Sequence, residues 1–249
     1  MTRRTVHLIK AWVRGGGRWL PGRAVLLWVW SVWQGGEERE AALLRLFRPP
    51  GLFQPYGVTG EERYPDIFAF VAGEIGDAPG RRLLSFGCAR GDEVFSLRRW
   101  FPRASIRGLD ISARRIAVCR RGLARTGGDG AIDFRVAGSA CGEPAEFYDA
   151  VFAMAVFRHG DLRAHPARCC PCITFGDYER AVAGLARCLR PGGLLVMRFA
   201  NFRFSDTAVA AGFEPILSRP SDPGTPLYGP DNRLCPPEAH EDVVFRKRG

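Results

Sequence analysis

Leu83-Leu84-Ser85-Phe86-Gly87-Cys88-Ala89-Arg90-Gly91-Asp92-Glu93 is the stretch on which the reading of this chain turns. A short apolar run ends in a turn with glycine at both ends, and Asp92 to Trp100 follows as a helix with two acids in its first turn. Acids there meet the partial positive charge of the free helix amides. Strand-to-helix turns need glycine for backbone reasons alone, so the turn by itself is weak evidence of function. Its weight comes from Asp110, 19 residues past Gly91, at the end of a second apolar run, Ser105 to Leu109. In open α/β sheets, ligands bind outside the carboxyl ends of the strands, and an acid at the end of the second strand accepts from ribose hydroxyls.

Downstream of that stretch, short apolar runs keep alternating with helix-like segments, as βα units around a parallel sheet require. Ser112 to Ala124 reads as a helix, Ile132 to Val136 as a third strand and Tyr148 to Phe157 as a fourth. The fourth is almost wholly apolar, as a strand buried on both faces should be. Asp177 to Leu189 reads as a helix, Arg190-Pro191-Gly192-Gly193 as its end and Leu194 to Phe199 as a fifth strand. Phe213 to Leu217 and Asp242 to Arg246 pair as two last strands, joined by a proline-rich connection, Ser218 to His240. Upstream, Thr59-Gly60-Glu61-Glu62 has the pattern of a capping box, opening a helix through about Gly73. The expected fold is an α/β, Rossmann-like, mostly parallel seven-stranded sheet with helices on both faces, over residues 59–249, behind an N-terminal helical cap, residues 1–58.

The motifs resemble those of class I S-adenosylmethionine-dependent methyltransferases from about Leu83 to Phe199. Gly87 to Glu93 with Phe95-Ser96-Leu97 is similar to the first motif of chemotaxis-receptor glutamate methyltransferases, and Leu109-Asp110-Ile111-Ser112 to their second. Leu189-Arg190-Pro191-Gly192-Gly193-Leu194-Leu195 looks like the turn before the fifth strand in many members. The resemblance implies S-adenosyl-L-methionine as cofactor. It places Gly87 and Gly91 beside the methionine portion, Asp110 on the ribose, Ile111 against the adenine and Ser139 and Ala140 at the adenine edge, with Ser85, Cys88 and Met154 also among the cofactor-binding residues. The sequence departs from the family at Ser85, where an acid is common, at Ala89, where glycine is common, and at Arg90, whose bulk fills part of the site if it points inward. A nicotinamide dinucleotide would ask for three glycines and a pyrophosphate at the helix start, where Asp92 and Glu93 repel it.

A sulfonium methyl is already electrophilic, so the remaining work is to align the acceptor and remove its proton. Phe157-Arg158-His159-Gly160-Asp161 follows the fourth strand at the rim where an acceptor belongs. His159 is the candidate base, with an ordinary pKa of roughly 6.5, set against a plain surface histidine. Arg158 is a candidate fork for a carboxylate. Tyr56, Arg63, Tyr64, Asn201 and Arg203 are candidates for the acceptor pocket, Tyr56 and Tyr64 equally for packing. The expected acceptor is a small molecule or peptide bearing an oxygen or nitrogen nucleophile. The Asn/Asp-Pro-Pro-Tyr motif of amino methylation and the Arg-Asn pair of the receptor enzymes are both missing, which disfavours those routes. An RNA-modifying or protein-carboxylate methyltransferase, or an inactive cofactor-binding or membrane-associated module, stays as the alternative.

Composition agrees with a globular chain. Of its 249 residues, 46% are hydrophobic and 25% charged. The net charge is +10, with Lys10 and Lys247 the only lysines; arginine is scattered rather than gathered into the stripe that nucleic-acid binding prefers. Five of six tryptophans, Trp12, Trp19, Trp28, Trp30 and Trp33, fall in the first fifty residues with nine basic side chains. That suits a helical cap or a peripheral membrane contact. The run Ala24 to Trp33 falls short of the about 20 residues a spanning helix needs, and lacking a cleavage-site pattern the chain reads as cytoplasmic. The eight cysteines read as free thiols. Cys169, Cys170 and Cys172 lie near His159 and His165, but without paired C-x-x-C spacing no metal site is expected.

Overall fold

The computed structural model describes residues 36–57, 60 and 62–249. The chain divides into two compact units at Arg48/Pro49. In the first, α1 (Gly36–Phe47) buries Ala41, Ala42 and Leu44. Trp12, Trp19, Trp28, Trp30 and Trp33, and the Thr59 and Glu61 of the capping-box pattern, lie outside the described residues.

The second unit holds α2 (Pro65–Ile75), β1 (Arg82–Phe86), α3 (Asp92–Trp100), β2 (Ser105–Asp110), α4 (Ala113–Arg125), β3 (Ile132–Val136), β4 (Tyr148–Met154), α5 (Phe175–Cys188), β5 (Leu189–Arg198), β6 (Phe213–Pro220) and β7 (His240–Lys247). The strands form one sheet in the order β3-β2-β1-β4-β5-β7-β6. The first five run parallel, and β7 enters antiparallel between β5 and β6. This is the Rossmann-like sheet expected from the motifs.

Side chains alternate across a strand, and the strands therefore supply two cores. Leu84, Phe86, Val151, Ala153, Leu195 and Met197 pack on one face with Tyr178, Val182 and Leu185 of α5. Leu83, Ile106, Ala150, Phe152, Leu194 and Val196 pack on the other with Ile67 and Phe68 of α2, Val94 and Leu97 of α3 and Ile116 of α4. Helices thus cover both faces, and all seven residues of β4 are buried. One of them is charged. Asp149 accepts from Arg81 Nη1 and Arg82 N, both at 2.8 Å, and pairs with Arg190 at 2.5 Å, which meets the demand of a buried carboxylate for partners.

Several boundaries differ from the sequence reading, among them two in β4 and β5. β4 stops at Met154, because Ala155 takes a left-handed φ of 58° and its N–H donates to Arg198 O, carrying Val156 and Phe157 out of the ladder. β5 starts at Leu189, which pairs with Tyr148 ahead of an irregularity that absorbs Pro191-Gly192-Gly193. Helix α2 begins at Pro65, with the proline in the first turn, where its missing N–H costs nothing.

Candidate active site

The strand order reverses between β1 and β4, and a cavity of about 430 Å³ opens at their carboxyl ends. Phe86, Gly87 and Ala89 line it from β1, Asp110 and Ile111 from β2, Ala137 and Gly138 from beyond β3, and Met154 to Val156 from β4. The turn is shaped for close approach. Gly87 has a φ of 74°, and a Cβ there would lie 2.5 Å from Val156 Cγ2. Its N–H and that of Cys88 both donate to Leu109 O, which ties the turn to the end of β2.

Asp110 is 4% exposed, and both its oxygens are engaged: Oδ2 accepts from Ala89 N at 2.9 Å and Oδ1 from Ser112 N at 2.8 Å. Arg115 stands 3.8 Å away. These contacts fix the Asp110 carboxylate at the cavity wall. Ile111, Gly138 and Pro50 form a cradle beside it, in which a Cβ on Gly138 would meet Pro50 O at 2.9 Å and Ile111 Cδ1 at 3.0 Å. A flat heterocycle above a ribose suits those surfaces, so the residues present fit S-adenosylmethionine.

The segment 49–57 is pinned over this cavity. Gln54 Nε2 donates to Arg158 O at 2.5 Å, Arg115 Nη2 to Pro55 O at 2.6 Å, and Tyr56 Oη to Asp161 Oδ1 at 3.0 Å. Phe53 packs edge-on against Phe157 with centroids 4.9 Å apart. Arg63, Arg158 and Arg163 line the same cavity.

Other expected site residues fall elsewhere. Gly91, with a φ of 94°, packs against Phe95 and Cys119 rather than the cavity. Cys88 is buried at the wall of a small adjoining recess, and Arg90 is exposed and does not line the site. Ser139 is exposed and Ala140 belongs to the core; the cavity wall uses Ala137 and Gly138 instead, because Ala137 N is already bonded to Asp110 O as the chain leaves β3. His159 is 8% exposed, and its Nδ1 accepts from Asp161 N at 3.3 Å, capping the short helix Gly160–Ala164. It backs the cavity wall that Arg158 and Asp161 line. Asn201 is fully buried, accepts from His159 N at 2.7 Å and donates to Pro226 O at 2.7 Å. It braces the rim.

One residue that the sequence reading left out of the cavity stands out. Ser85 is buried where the family favours an acid, and its Oγ donates to Glu93 Oε1 at 2.7 Å. Glu93, with Arg63, Tyr64 and Gly87, lines a small recess that shares Gly87, Ala89 and Met154 with the main cavity. Burial raises its carboxyl to about 7, with Ser85 and Arg63 pulling the other way. Glu93 thus brings a carboxylate from α3 next to Ser85 of β1.

A second cavity, of about 460 Å³, lies at the end of β5 against the connection 221–239. Met197, Phe202, Phe204 and Phe245 line it, with Asp222 and Arg203 among its charged residues. β4 and β5 are neighbours, with Met154 opposite Arg198, so the two cavities share the carboxyl edge. Arg158 joins them, contacting Asp222 Oδ2 at 3.2 Å and Gly224 O at 3.1 Å. Arg203 pairs with Glu238 at 2.6 Å.

Of the clustered thiols, only Cys172 meets the histidine, its Sγ and the ligand atoms of His159 and Asp161 lying within 4.8 Å of one another. Three such donors are fewer than the four of a closed structural zinc site. Part of the arginine charge is paired within the chain: Arg81 and Arg190 on the buried Asp149, Arg107 on Glu143 and Asp133, and Arg219 on Asp66 at the surface. Among the described residues no helix is long and apolar enough to cross a membrane.

Residues 84–197, just under half the chain, match the family model described as a methyltransferase domain. An uncharacterized protein of Synechococcus sp. is 29% identical over 143 residues, which are 57% of this chain and 30% of that protein. The chain therefore spans about a third of this curated relative. Solved structures with related folds include the [4+2]-cyclase SpnF, at 22% identity, 64% and 60% coverage of the two chains and a TM-score of 0.47. Another is the geranyl diphosphate C-methyltransferase of Streptomyces coelicolor, at 19%, 53% and 43%, and 0.40.

Proposed function

On the premise that residues 84–197 form a class I S-adenosylmethionine-dependent methyltransferase domain, we propose that the protein transfers a methyl group to an oxygen or nitrogen nucleophile of a small-molecule or peptide acceptor. The observation that supports it is the cavity at the switch point, where the Gly87 turn, the fixed Asp110 carboxylate and the Ile111–Gly138 cradle converge. In this reading Asp110 holds the ribose, Ile111, Ala137 and Gly138 hold the adenine, and Glu93 with Gly87 meets the methionine end. The cofactor supplies a methyl on a positively charged sulfur.

The chain's own residues do the rest. Tyr56 and Asp161, hydrogen-bonded to each other at the cavity wall, are placed to take a proton from an acceptor hydroxyl or amine. His159 positions Asp161 through the backbone N–H it accepts, and Asn201 holds His159 in turn. Segment 49–57 closes the cavity and limits water. Excluding water strengthens the electrostatic contacts inside.

Calorimetry with S-adenosylmethionine tests the reading. The wild type should bind, and Asp110→Ala should bind at least ~30-fold more weakly, as losing a charge-assisted pair of hydrogen bonds implies. Absence of heat with the wild type would sink it.

A further inference from the structure

The charge of the cavity names a class of acceptor, an inference that rests on the cofactor reading above. Four guanidiniums line the cavity, Arg63, Arg115, Arg158 and Arg163, against two carboxylates, Asp110 and Asp161. Arg115 faces Asp110 and donates to Pro55 O, so that pair belongs to the scaffold. Arg63 also lines the recess that holds Glu93 and lies over the Tyr64 ring, 5.3 Å from its centroid. That places it at the methionine end, where the cofactor's own carboxylate needs a partner. Arg158 and Arg163 remain, at the wall that carries Tyr56 and Asp161.

Arg158 already has one carboxylate partner, Asp222. The Arg158 side chain is only 14% exposed and its guanidinium loses proton affinity, first through burial and then through Arg163 and Arg63, with Asp222 opposing. Loading the cavity makes this worse: a cofactor with one sulfonium, one ammonium and one carboxylate adds a net positive charge to a partly enclosed site. In a partly enclosed site these like charges are poorly screened, so an anion beside them is favoured. The protein already shows the fit on one side, where the Asp222 carboxylate sits 3.2 Å from Arg158 Nη2 and is held below its ordinary pKa, despite burial, by Thr225, Gly224, Arg158 and Arg163.

We propose that the acceptor carries an anionic group, a carboxylate or a phosphate, which Arg158 and Arg163 hold beside the cofactor's sulfonium. Guanidinium forks match both groups in geometry. The anion fixes the acceptor at one end and leaves the nucleophile to reach the methyl at the other. It also sets the charge of the bound pair near balance.

The test uses the full chain saturated with S-adenosylhomocysteine, titrated in a calorimeter with inorganic phosphate and, separately, with succinate, at ionic strength held constant with sodium chloride. Saturable binding of at least one of them is expected. Arg163→Gln, at an exposed position, should keep the affinity for S-adenosylhomocysteine and weaken the anion at least ~10-fold, and Arg163→Lys should recover part of the loss. Phosphate alone, succinate alone or both each support the proposal and say which head group the site takes. Normal S-adenosylhomocysteine binding with no saturable anion heat, or with equal anion affinity in Arg163→Gln, overturns the anionic acceptor and leaves the methyltransferase reading standing. A wild type that binds no S-adenosylhomocysteine overturns both.

Discussion

Replacing Glu93 by Gln tests whether α3 supplies the acid that β1 lacks. In the cofactor-free protein, burial lifts the Glu93 carboxyl from 4.5 to about 7. The folded state therefore keeps a proton that the unfolded chain has already released between those values. A raised carboxyl works against folding as pH climbs: stability falls from about pH 4.5 to about 7 and is flat above. With Glu93 only partly buried, this difference is about 2 kcal/mol. Glu93→Gln should match the wild type in stability near pH 5 and exceed it at pH 8, by up to about 6 °C in Tm.

The cofactor reverses the sign. An ammonium beside Glu93 favours the carboxylate, so binding releases the proton, and wild-type affinity should fall about tenfold from pH 8 to pH 6. The amine of the cofactor titrates near pH 8 as α-amines do, identically for both proteins, so the difference between wild type and Glu93→Gln isolates the carboxyl. Calorimetry in two buffers of different ionisation enthalpy reads the released proton directly. If Glu93→Gln keeps wild-type affinity, and its pH slope is the same, Glu93 does not meet the cofactor.

Gly87→Ala should lower Tm by several degrees and abolish cofactor binding, since a left-handed φ and a 2.5 Å approach to Val156 together cost about 2 kcal/mol or more; a stable variant that still binds in calorimetry would refute the close-approach account. Asp149→Ala, at the opposite edge of the sheet, strips three partners of a buried carboxylate and should cost about 3 kcal/mol in urea denaturation with cofactor affinity per folded molecule unchanged. Asn201→Ala should leave cofactor affinity intact while lowering turnover, because it frees the His159 to Asp161 rim; equal turnover would show that the rim needs no brace. Deleting residues 1–48 should leave residues 49–249 folded by circular dichroism and able to bind cofactor, and lost turnover in that remainder would assign the amino-terminal segment a role at the acceptor. Liposome sedimentation with and without Trp28→Ala and Trp30→Ala tests the membrane alternative for the same segment.

The strands were legible because a buried parallel sheet writes itself as apolar runs, and α3 and β3 fall where their residues place them. What failed did so for tertiary reasons. Nothing local says that Ala155 will turn left-handed, yet that turn ends β4 three residues early and brings Val156 against Gly87. The cavity wall expected at Ser139 and Ala140 is formed by Ala137 and Gly138, because a backbone bond from Ala137 to Asp110 turns the chain immediately after β3. Glu93 was visible as a partner for the helix dipole, but its hydrogen bond to Ser85 joins two elements.

Arg158 and His159 show the same limit within two adjacent residues. Just beyond a strand the backbone is still extended, as the φ of −100° and ψ of 123° at His159 show, so consecutive side chains face opposite ways. Sequence position brings the pair to the acceptor rim but cannot choose which member looks in. That choice falls to Asn201, 42 residues on, whose side chain receives the His159 N–H and donates to Pro226 O. With the backbone clamped there, His159 turns inward to cap the short helix and Arg158 faces the cavity. The imidazole, a side chain type suited to proton transfer near neutrality, is the one used as a brace, and the fork left facing the cavity is suited to an anion.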